Sequence, residues 1–385
     1  MSRISGVTPD CTRSTTVTWS DGRVSSIETA KFAVGLPVAC PGFIDVQVNG
    51  LGGIAFNDPA LTTPQVETVT QRLWETGVAL YFPTLITESF DSLSRGLAAL
   101  ARAKRESPAG RSILGIHLEG PYLSPDDGPR GAHPLAHVRD PNWDEFRRLQ
   151  DAAEGLIRLV TLAPERPGAI DFIQQLVATG VRVSIGHTAA GADAIREAVA
   201  AGATMATHLG NAAHDQLQRH RNYVYYQLAA DELWASLIVD GHHLPPELVK
   251  IFVRAKGPER TILVSDATQW AGLPPGVYPW GHCDIEVRDD GFIGVVGQPR
   301  LAGSGLLLWR GVENVVRFAG VNLADAVRMV TEHPARMLGD FPRVGAIEPG
   351  ADATFTIVEW NEATGSLGVL RTIVQGEVVY CRNGA

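Results

Sequence analysis

The sequence predicts an α/β protein: a (β/α)8 barrel of the TIM type, joined to a small β-sandwich domain that both termini form. Through the middle of the 385-residue chain, short apolar segments alternate with helical segments eight times, which matches such a barrel in number and span. Both ends of the chain alternate instead in the manner of short strands. We therefore predict the sandwich domain over 1–40 and 345–385, and the barrel over 41–344.

The N-terminal segments TTVTW and RVSSIE flank Asp21-Gly22. This pair predicts a β-hairpin, because both turn positions tolerate positive φ. At the other end of the chain, DATFTIVEW and VLRTIVQGEVVY are rich in β-forming residues, and Gly365 and Gly376 interrupt them. Two β-rich ends around a different middle predict one small domain assembled from both termini.

Eight apolar segments are the predicted barrel strands. In chain order they are PGFIDVQVNG, VALYFPT, ILGIHLEG, LIRLVTLAP, RVSIGHT, TMATHL, ASLIVDG and TILVSDAT. After the first strand, Thr63 is the predicted N-cap of a helix with Pro64 at its first position, and Gly77 ends the segment. An open doubly wound sheet stays an alternative, because a strand count does not prove that the sheet closes.

Composition narrows the class of protein. A hydrophobic content of 45% supports a large core, and a net charge of −9 argues against nucleic acid or an anionic membrane as the main partner. A small anionic substrate remains possible, because local Arg and His residues can outweigh the global charge. The segment MSRISGVTPD has no apolar signal core, and no apolar run is long enough to cross a bilayer. We expect a cytoplasmic protein without a membrane partner.

The cysteines give no sign of a metal or disulfide framework. Cys11, Cys40, Cys283 and Cys381 lie far apart and form no CxxC pair. We expect them to be buried, reduced thiols.

Polar side chains stand at the ends of five predicted strands, where buried-strand propensity favours Val or Ile. They are Gln47 and Asn49 on strand one, Glu119 on strand three, His187 on strand five, His208 on strand six and Asp266 on strand eight. In a barrel these ends converge on one cavity. Each residue alone is more often a hydrogen-bonded core or rim group. Together they predict a site, because each is costly to bury without a partner.

The set of Glu119, His187 and His208 suits a Zn²⁺ ion with an open fourth position, and iron, cobalt or manganese would fit the same nitrogen and oxygen ligands. Asp266 is the predicted general base and acid, taking a proton from water and passing it to a leaving amine. The alternatives for Asp266 are a fourth metal ligand or a residue that orients one.

The motifs PGFIDVQVNGLGG, HLEGPYLSP with GAHP, SIGHT, THLGNAA, VDGHHL, SDAT and LAGSGLLL stand in one order and approximate spacing. In this the chain resembles N-acetylglucosamine-6-phosphate deacetylases of the amidohydrolase superfamily, from about Pro41 to the closing GAIEPGADA. The resemblance implies a metal-dependent deacetylase of an amino-sugar phosphate, N-acetylglucosamine 6-phosphate foremost, with a barrel, a small β-sandwich and usually a homodimer.

Site roles follow from the resemblance position by position. Glu119, His187 and His208 match the metal ligands, Asp266 the catalytic acid and base, and His133, in GAHP, a histidine that polarises the amide carbonyl. Without the resemblance, His133 could equally be a solvated loop histidine.

The substrate residues follow in the same way. His243 matches a substrate-binding histidine, and Asn211 and Ala212 match the turn that cradles the phosphate. Arg219 falls where the family places an arginine that reaches the neighbouring subunit's site. Here the chain reads Arg219-His220-Arg221-Asn222 instead of REPG, so a surface charge cluster is the alternative, and Arg221 is a second candidate for that contact.

Departures from the family gather around the sugar and phosphate pocket. Gly210 stands where a bulkier residue is usual, and HDQLQRHRN replaces a more apolar loop. The chemistry therefore transfers better than the substrate, which leaves another N-acetylated sugar or acid as an alternative.

The polar residues of strand one indicate how many metal ions the site holds. Many related hydrolases carry HxH there and a bridging carboxylated lysine on strand four, whereas this chain has Gln47 and Asn49, and LIRLVTLAP contains no lysine. A cyclic-amide hydrolase with two metals is therefore disfavoured, and we predict one metal, with Gln47 orienting water or a ligand and Asn49 bracing the adjacent loop. The complete set of Glu, two His and Asp argues against a non-catalytic sugar-phosphate-binding barrel.

Overall fold

A seven-stranded sheet contains strands from both ends of the chain. The computed structural model describes residues 1–280, 283–298 and 301–383. The N-terminal part of the chain contributes four strands to this sheet: β1 (Ser2–Val7), β2 (Arg13–Ser20), β3 (Arg23–Lys31) and β4 (Val38–Pro41). The predicted hairpin joins β2 to β3, and Asp21 and Gly22 both have positive φ, +52° and +72°.

Eight parallel strands form the central sheet. They are β5 (Phe43–Val48), then, after a small hairpin of β6 (Gly50–Leu51) and β7 (Ile54–Ala55), β8 (Val78–Ile86), β9 (Ile116–Glu119), β10 (Ile157–Leu162), β11 (Arg182–Ile185), β12 (Met205–Ala206), β13 (Trp234–Leu237) and β14 (Thr261–Leu263). Each strand pairs with the next along the chain. Six of the eight lie inside the predicted segments, while β8 runs two residues past VALYFPT and β13 begins one residue before ASLIVDG.

The sheet closes between its first and last strands. Asp266 donates its backbone N–H to the carbonyl of Gln47 over 3.0 Å, and Asn49 donates its own to the carbonyl of Ala267 over 2.8 Å. These contacts lie just beyond the carboxyl ends of β5 and β14. The fold class predicted from the sequence is confirmed, and the open doubly wound sheet is wrong.

Ten helices connect or follow the strands. They are α1 (Thr63–Glu75), α2 (Phe90–Glu106), α3 (Trp143–Ala152), α4 (Ala169–Ala178), α5 (Ala192–Ala200), α6 (Tyr223–Ala229), α7 (Pro246–Lys256), α8 (Leu308–Ala319), α9 (Leu323–Arg328) and α10 (Glu332–Leu338), as far as the described residues go. Short 3-10 turns lie at Pro108–Ser112, Leu135–His137 and Pro258–Arg260. In the described part of the chain, no helix combines the length and the apolar character that crossing a membrane would need.

The predicted start of α1 is wrong by one residue. Thr62, not Thr63, is the N-cap. The side chain of Gln65 reaches back to accept the backbone N–H of Thr62 over 2.9 Å, which is half of a capping box. Either threonine could cap a helix chemically, and the position of Gln65 decides between them.

The remaining strands complete the terminal sheet and add a small one. After β14 the chain forms a three-stranded antiparallel sheet of β15 (Gly276–Trp280), β16 (Cys283–Val287) and β17 (Ile293–Val295), and near its end β18 (Phe355–Asn361), β19 (Ser366–Val374) and β20 (Glu377–Cys381). The terminal sheet has the order β20-β19-β18-β4-β1-β2-β3. Trp19 and Phe355 pack edge to face, with their rings 5.5 Å apart, so the two termini share a core.

The division of the chain at residues 40 and 345 stays a prediction. Residues 384 and 385 of the predicted sandwich, and 281, 282, 299 and 300 of the predicted barrel, lie outside the described residues.

Candidate functional site

The barrel brings the predicted polar residues to one end. Glu119 is the last residue of β9, His187 and His208 stand two residues past β11 and β12, and Asp266 stands three past β14. The side chains of all four are buried or nearly so. Residues that follow parallel strands face the same rim of a closed barrel, so positions far apart in sequence surround one small volume.

Three of these residues have an unusual backbone. His187, His208 and Asp266 have positive φ angles of +51°, +28° and +49°. A non-glycine residue in this region is uncommon and costs on the order of 1–3 kcal/mol. Such strain persists where the surrounding structure enforces it, and it tends to mark functional sites. Here it turns each side chain at the point where its strand ends.

Glu119 lies at the middle of the cluster. Its Oε1 is 3.0 Å from Nε2 of His187 and 3.1 Å from Nε2 of His208, and these two nitrogens are 3.2 Å apart. Burial raises the pKa of Glu119, but hydrogen bonds and charge from the two histidines hold it well below its ordinary value. Glu119 is therefore a carboxylate, the state in which it can bind a cation.

The hydrogen bonds of His187 determine which of its nitrogens is free. Its Nδ1 lies 3.0 Å from the carbonyl oxygen of Pro129, and a carbonyl only accepts. Nδ1 therefore carries a proton, and Nε2 is the nitrogen that faces Glu119. This arrangement is typical of a metal-binding histidine, whose other N–H is held by a carbonyl or carboxylate.

His133 has the opposite arrangement. Its Nδ1 accepts the backbone N–H of Thr87 over 3.3 Å and lies 2.8 Å from the Thr87 hydroxyl. Burial and the neighbouring His187 hold its pKa well below the ordinary value, so the ring is neutral. A neutral imidazole that accepts at Nδ1 carries its proton on Nε2, and Nε2 lies 3.2 Å from Nε2 of His187. His133 thus presents an N–H donor to the centre.

Two sets of three residues could hold a metal ion. Ligand atoms of Glu119, His133 and His187 all lie within 4.8 Å of one another, and His208 is the predicted third ligand in place of His133. The hydrogen bonds favour His208. A ligand needs a lone pair, which the N–H of His133 does not offer, whereas Nε2 of His208 faces both Glu119 and His187.

The donors fit a divalent metal. Zinc ligands at about 2.0–2.1 Å in a tetrahedron lie roughly 3.3 Å from one another, close to the observed separations among Glu119, His187 and His208 of 3.0 to 3.2 Å. The donor set is one carboxylate oxygen and two imidazole nitrogens, all facing the same point. This is the donor set of a metal site with three protein ligands. The residues therefore fit the metal that the sequence predicts.

Gln47 and Asn49 each contact one member of the cluster. Gln47 donates from Nε2 to Oε1 of Glu119 over 3.0 Å, and Asn49 donates from Nδ2 to Oδ1 of Asp266 over 2.6 Å. Burial raises the pKa of Asp266 to about 6, with the charge of Glu119 adding to the rise and the bond from Asn49 opposing it. Asp266 can therefore exchange a proton near neutral pH.

The predicted substrate residues lie at different distances from this centre. Asn211 and Ala212 form the turn directly after His208 and border a small cavity together with His187. His243 stands in the turn after β13, where its Nδ1 lies 2.6 Å from Oδ2 of Asp240. Arg219 is exposed.

Several supporting residues had no role in the sequence interpretation. Besides Thr87 and Pro129, they include Glu165, whose carboxylate accepts from the Thr188 hydroxyl and the Ala189 backbone in the loop after His187. Asp240 is another. Each acid stands three residues past a strand of the structure, Glu165 after β10 and Asp240 after β13. In the sequence they stand at the end of a predicted strand segment or directly after it, and that position is the signal that could have found them.

Comparisons with known proteins identify the family. The model of the amidohydrolase family matches residues 38–379. N-acetylglucosamine-6-phosphate deacetylase of Bacillus subtilis is 32% identical over 94% of this chain and 91% of its own length. N-acetylgalactosamine-6-phosphate deacetylase of Escherichia coli O157:H7 is 32% identical over 93% of both chains.

A solved structure is similar over nearly its full length. It is a mutant N-acetyl-D-glucosamine-6-phosphate deacetylase of Mycobacterium smegmatis in complex with N-acetyl-D-glucosamine-6-phosphate. The TM-score is 0.85 at 30% identity, and the match covers 98% of this chain and 100% of the other.

Proposed function

The chain belongs to the amidohydrolase family and, within it, to the N-acetylglucosamine-6-phosphate deacetylases, and on this premise we propose that it hydrolyses the acetamide of an amino-sugar phosphate. The foremost substrate is N-acetylglucosamine 6-phosphate, and the products are glucosamine 6-phosphate and acetate. One observation carries the proposal: a partly exposed carboxyl whose pKa is raised to about 6, Asp266, stands at the same barrel rim as the buried Glu119, His187 and His208.

Three residues would hold the cofactor. Glu119, His187 and His208 are the proposed ligands of one divalent ion, Zn²⁺ foremost, with Fe²⁺, Co²⁺ or Mn²⁺ as alternatives. Such an ion supplies Lewis-acid activation of the water and of the amide carbonyl. Gln47, which donates to Glu119, keeps that carboxylate oriented.

Asp266 moves the proton. As a carboxylate it accepts a proton from the attacking water while the water oxygen bonds to the acetamide carbon. It then donates this proton to the amine nitrogen as the C–N bond breaks and acetate leaves. Its raised pKa serves both steps, because a group that titrates near the working pH can act as base and as acid.

His133 stabilises the charge that develops on the carbonyl oxygen. Its Nε2–H points into the centre because Thr87 occupies Nδ1, and it stays neutral because burial and His187 depress its pKa. A fixed donor in a dry site stabilises an oxyanion strongly.

The phosphate is the proposed anchor for the rest of the substrate. We assign the turn of Asn211 and Ala212 and the ring of His243 to binding the sugar phosphate, and Arg219 to the site of a partner subunit in a homodimer. The exposure of Arg219 supports the last assignment.

An acetate-release assay tests the proposal. Zinc-loaded protein is offered N-acetylglucosamine, N-acetylgalactosamine and the 6-phosphate of each, with the Asp266→Asn variant as the control for contaminating activity. We expect the phosphorylated sugars to be turned over well above the unphosphorylated ones. The N-acetylgalactosamine phosphate is included because a relative named for it matches as well as one named for the glucosamine compound. If neither phosphorylated sugar released acetate, the proposal would be wrong.

A further inference from the structure

Asp240 and His243 form a buried pair in the turn after β13. Oδ2 of Asp240 accepts from Nδ1 of His243 over 2.6 Å. Oδ1 of Asp240 accepts the backbone N–H groups of His242 and His243, each over 2.8 Å. The side chains of Asp240 and His243 are only 4% and 10% exposed. Three donors therefore converge on one carboxylate.

The charge of Asp240 fixes the proton on His243. Burial raises the pKa of Asp240, but the bond from His243 and the backbone N–H groups outweigh burial and leave the pKa below its ordinary value. A carboxylate accepts and cannot donate, so Nδ1 of His243 carries a hydrogen. Its Nε2 makes no hydrogen bond to any described residue and is not among the buried atoms that lack a partner, so this nitrogen is accessible.

The turn lies beside the reaction centre, and a hydrogen bond from helix α8 anchors its backbone. Burial raises the pKa of Asp266, the proposed proton carrier, and the nearby His243 opposes that rise. On the other side, Nδ2 of Asn314 in α8 donates to the carbonyl of Val239 over 2.7 Å. The backbone before Asp240 is thus anchored to a helix, and the carboxylate in turn anchors the ring of His243.

We propose that Asp240 is a positioning residue of this enzyme and acts through His243. It commits Nδ1 of the ring to the carboxylate and leaves Nε2 for the substrate, so that this nitrogen forms a hydrogen bond with a hydroxyl or N–H group of the sugar. This role rests on the proposed function, because it assigns the nitrogen of His243 that the sugar contacts.

A double-mutant cycle on acetate release tests the coupling. The variants are Asp240→Asn, His243→Asn and the double variant, compared by kcat and KM on the phosphorylated sugar that the wild type prefers. We expect Asp240→Asn to lower kcat/KM about 10- to 100-fold, as loss of a partner that orients a functional histidine does. The double variant should be no worse than His243→Asn alone. Losses that multiply would overturn the proposal, because they would show that Asp240 acts independently of His243.

Asp290→Asn is the matched control. It removes a carboxylate beside the neighbouring histidine, where Oδ2 of Asp290 lies 3.7 Å from Nε2 of His242, and Asp290 is exposed. We expect kcat/KM within about twofold of the wild type. A loss as large as that of Asp240→Asn would show a general effect of charge and count against the proposal.

A spectroscopic measurement separates this inference from the proposed function. Nitrogen-15 NMR of the histidine side chains should find the proton of His243 on Nδ1 in the wild type and redistributed to Nε2 in Asp240→Asn, whose amide can donate to Nδ1. A proton on Nε2 in the wild type would overturn the inference by itself, even if the variant did not fold. If the wild type released no acetate, the proposed function would fail while this spectrum still decided the role of Asp240.

Discussion

Asn49 donates a hydrogen bond from Nδ2 to Oδ1 of Asp266 over 2.6 Å, linking the first and last strands of the barrel at their carboxyl ends. Asp266 is largely removed from solvent, and this burial raises its pKa to about 6. The bond from Asn49 works against that rise, because it stabilises the charged form. An amide in this position therefore tunes the acidity of the residue that we propose carries the proton.

Replacing Asn49 by Ala should shift the pH profile of kcat/KM. The base must be deprotonated, so the acidic limb follows the pKa of Asp266 in the free enzyme. Loss of the bond raises that pKa, and we expect the limb to move to higher pH by roughly one pH unit, with the rate recovering at alkaline pH. Asn57→Ala is the control, because Asn57 pairs with the backbone of Ile86 and should leave the limb in place. A limb that moved to lower pH in Asn49→Ala would contradict this prediction.

Replacing Asp266 by Asn should abolish turnover while the bound metal stays. An amide of the same shape can neither take the proton from water nor return it to the amine, and general acid–base catalysis contributes about 10²- to 10⁴-fold. Acetate release and elemental analysis of the same preparation check both parts. A variant with unchanged kcat would remove Asp266 from the mechanism, and one that lost its metal would instead support its alternative role as a fourth ligand.

His133 and His208 should respond differently to substitution. His208→Ala removes a proposed ligand and should lower metal content. His133→Ala removes an N–H donor, and we expect full metal content with kcat lowered about 100-fold or more. Elemental analysis after dialysis, together with kcat at saturating metal, distinguishes the two. Metal lost from the His133 variant and kept in the His208 variant would mean that the ligand set is Glu119, His133 and His187.

The sequence predicts where these residues lie better than it predicts what they do there. A residue such as Glu119 or Asp266 ends an apolar segment, and the rule that barrel strand ends converge is enough to place it. The proton positions are different, because they depend on contacts between distant loops. Thr87 reaches His133 across 46 residues and Pro129 reaches His187 across 58, and no local pattern encodes either pairing.

Backbone strain is equally invisible in the sequence. His187 and His208 follow their strands at positions that look like ordinary continuations, yet both have positive φ. Only the packing of the whole barrel enforces these angles. The start of α1 illustrates the same limit on a small scale. Thr62 and Thr63 are chemically alike, and the contact with Gln65 decides which of them is the N-cap.

Gln47→Leu should weaken metal binding and leave the number of sites at one. The substitution keeps the size of the side chain and removes the donor to Glu119. Residues that orient a metal ligand typically contribute 10- to 100-fold in affinity. A chelator titration measures that loss, and elemental analysis of the wild type should find one metal per chain. Gln71→Leu on the exposed face of α1 is the control. Two metals per chain in the wild type would contradict the reading of Gln47 and Asn49 as marks of a single-metal site.

Arg219→Ala should raise KM for the phosphorylated sugar and leave KM for the unphosphorylated sugar unchanged, because a charged hydrogen bond to phosphate contributes about 1.5–3 kcal/mol, or roughly 10- to 100-fold. Arg221→Ala is the matched variant, and the larger effect identifies the arginine that reaches the phosphate.

Mixed dimers test where that arginine acts. Subunits with Asp266→Asn are inactive, and subunits with Arg219→Ala bind phosphate poorly. If Arg219 serves the partner's site, a dimer of one of each has one complete site, with Asp266 from the second subunit and Arg219 from the first. Mixing the two variants, after unfolding or by co-expression, should then restore activity towards the phosphorylated sugar to about one quarter of the wild-type level, since half of the dimers are mixed and each has one working site. Activity no higher than that of the unmixed variants would mean that Arg219 acts within its own subunit or not at all.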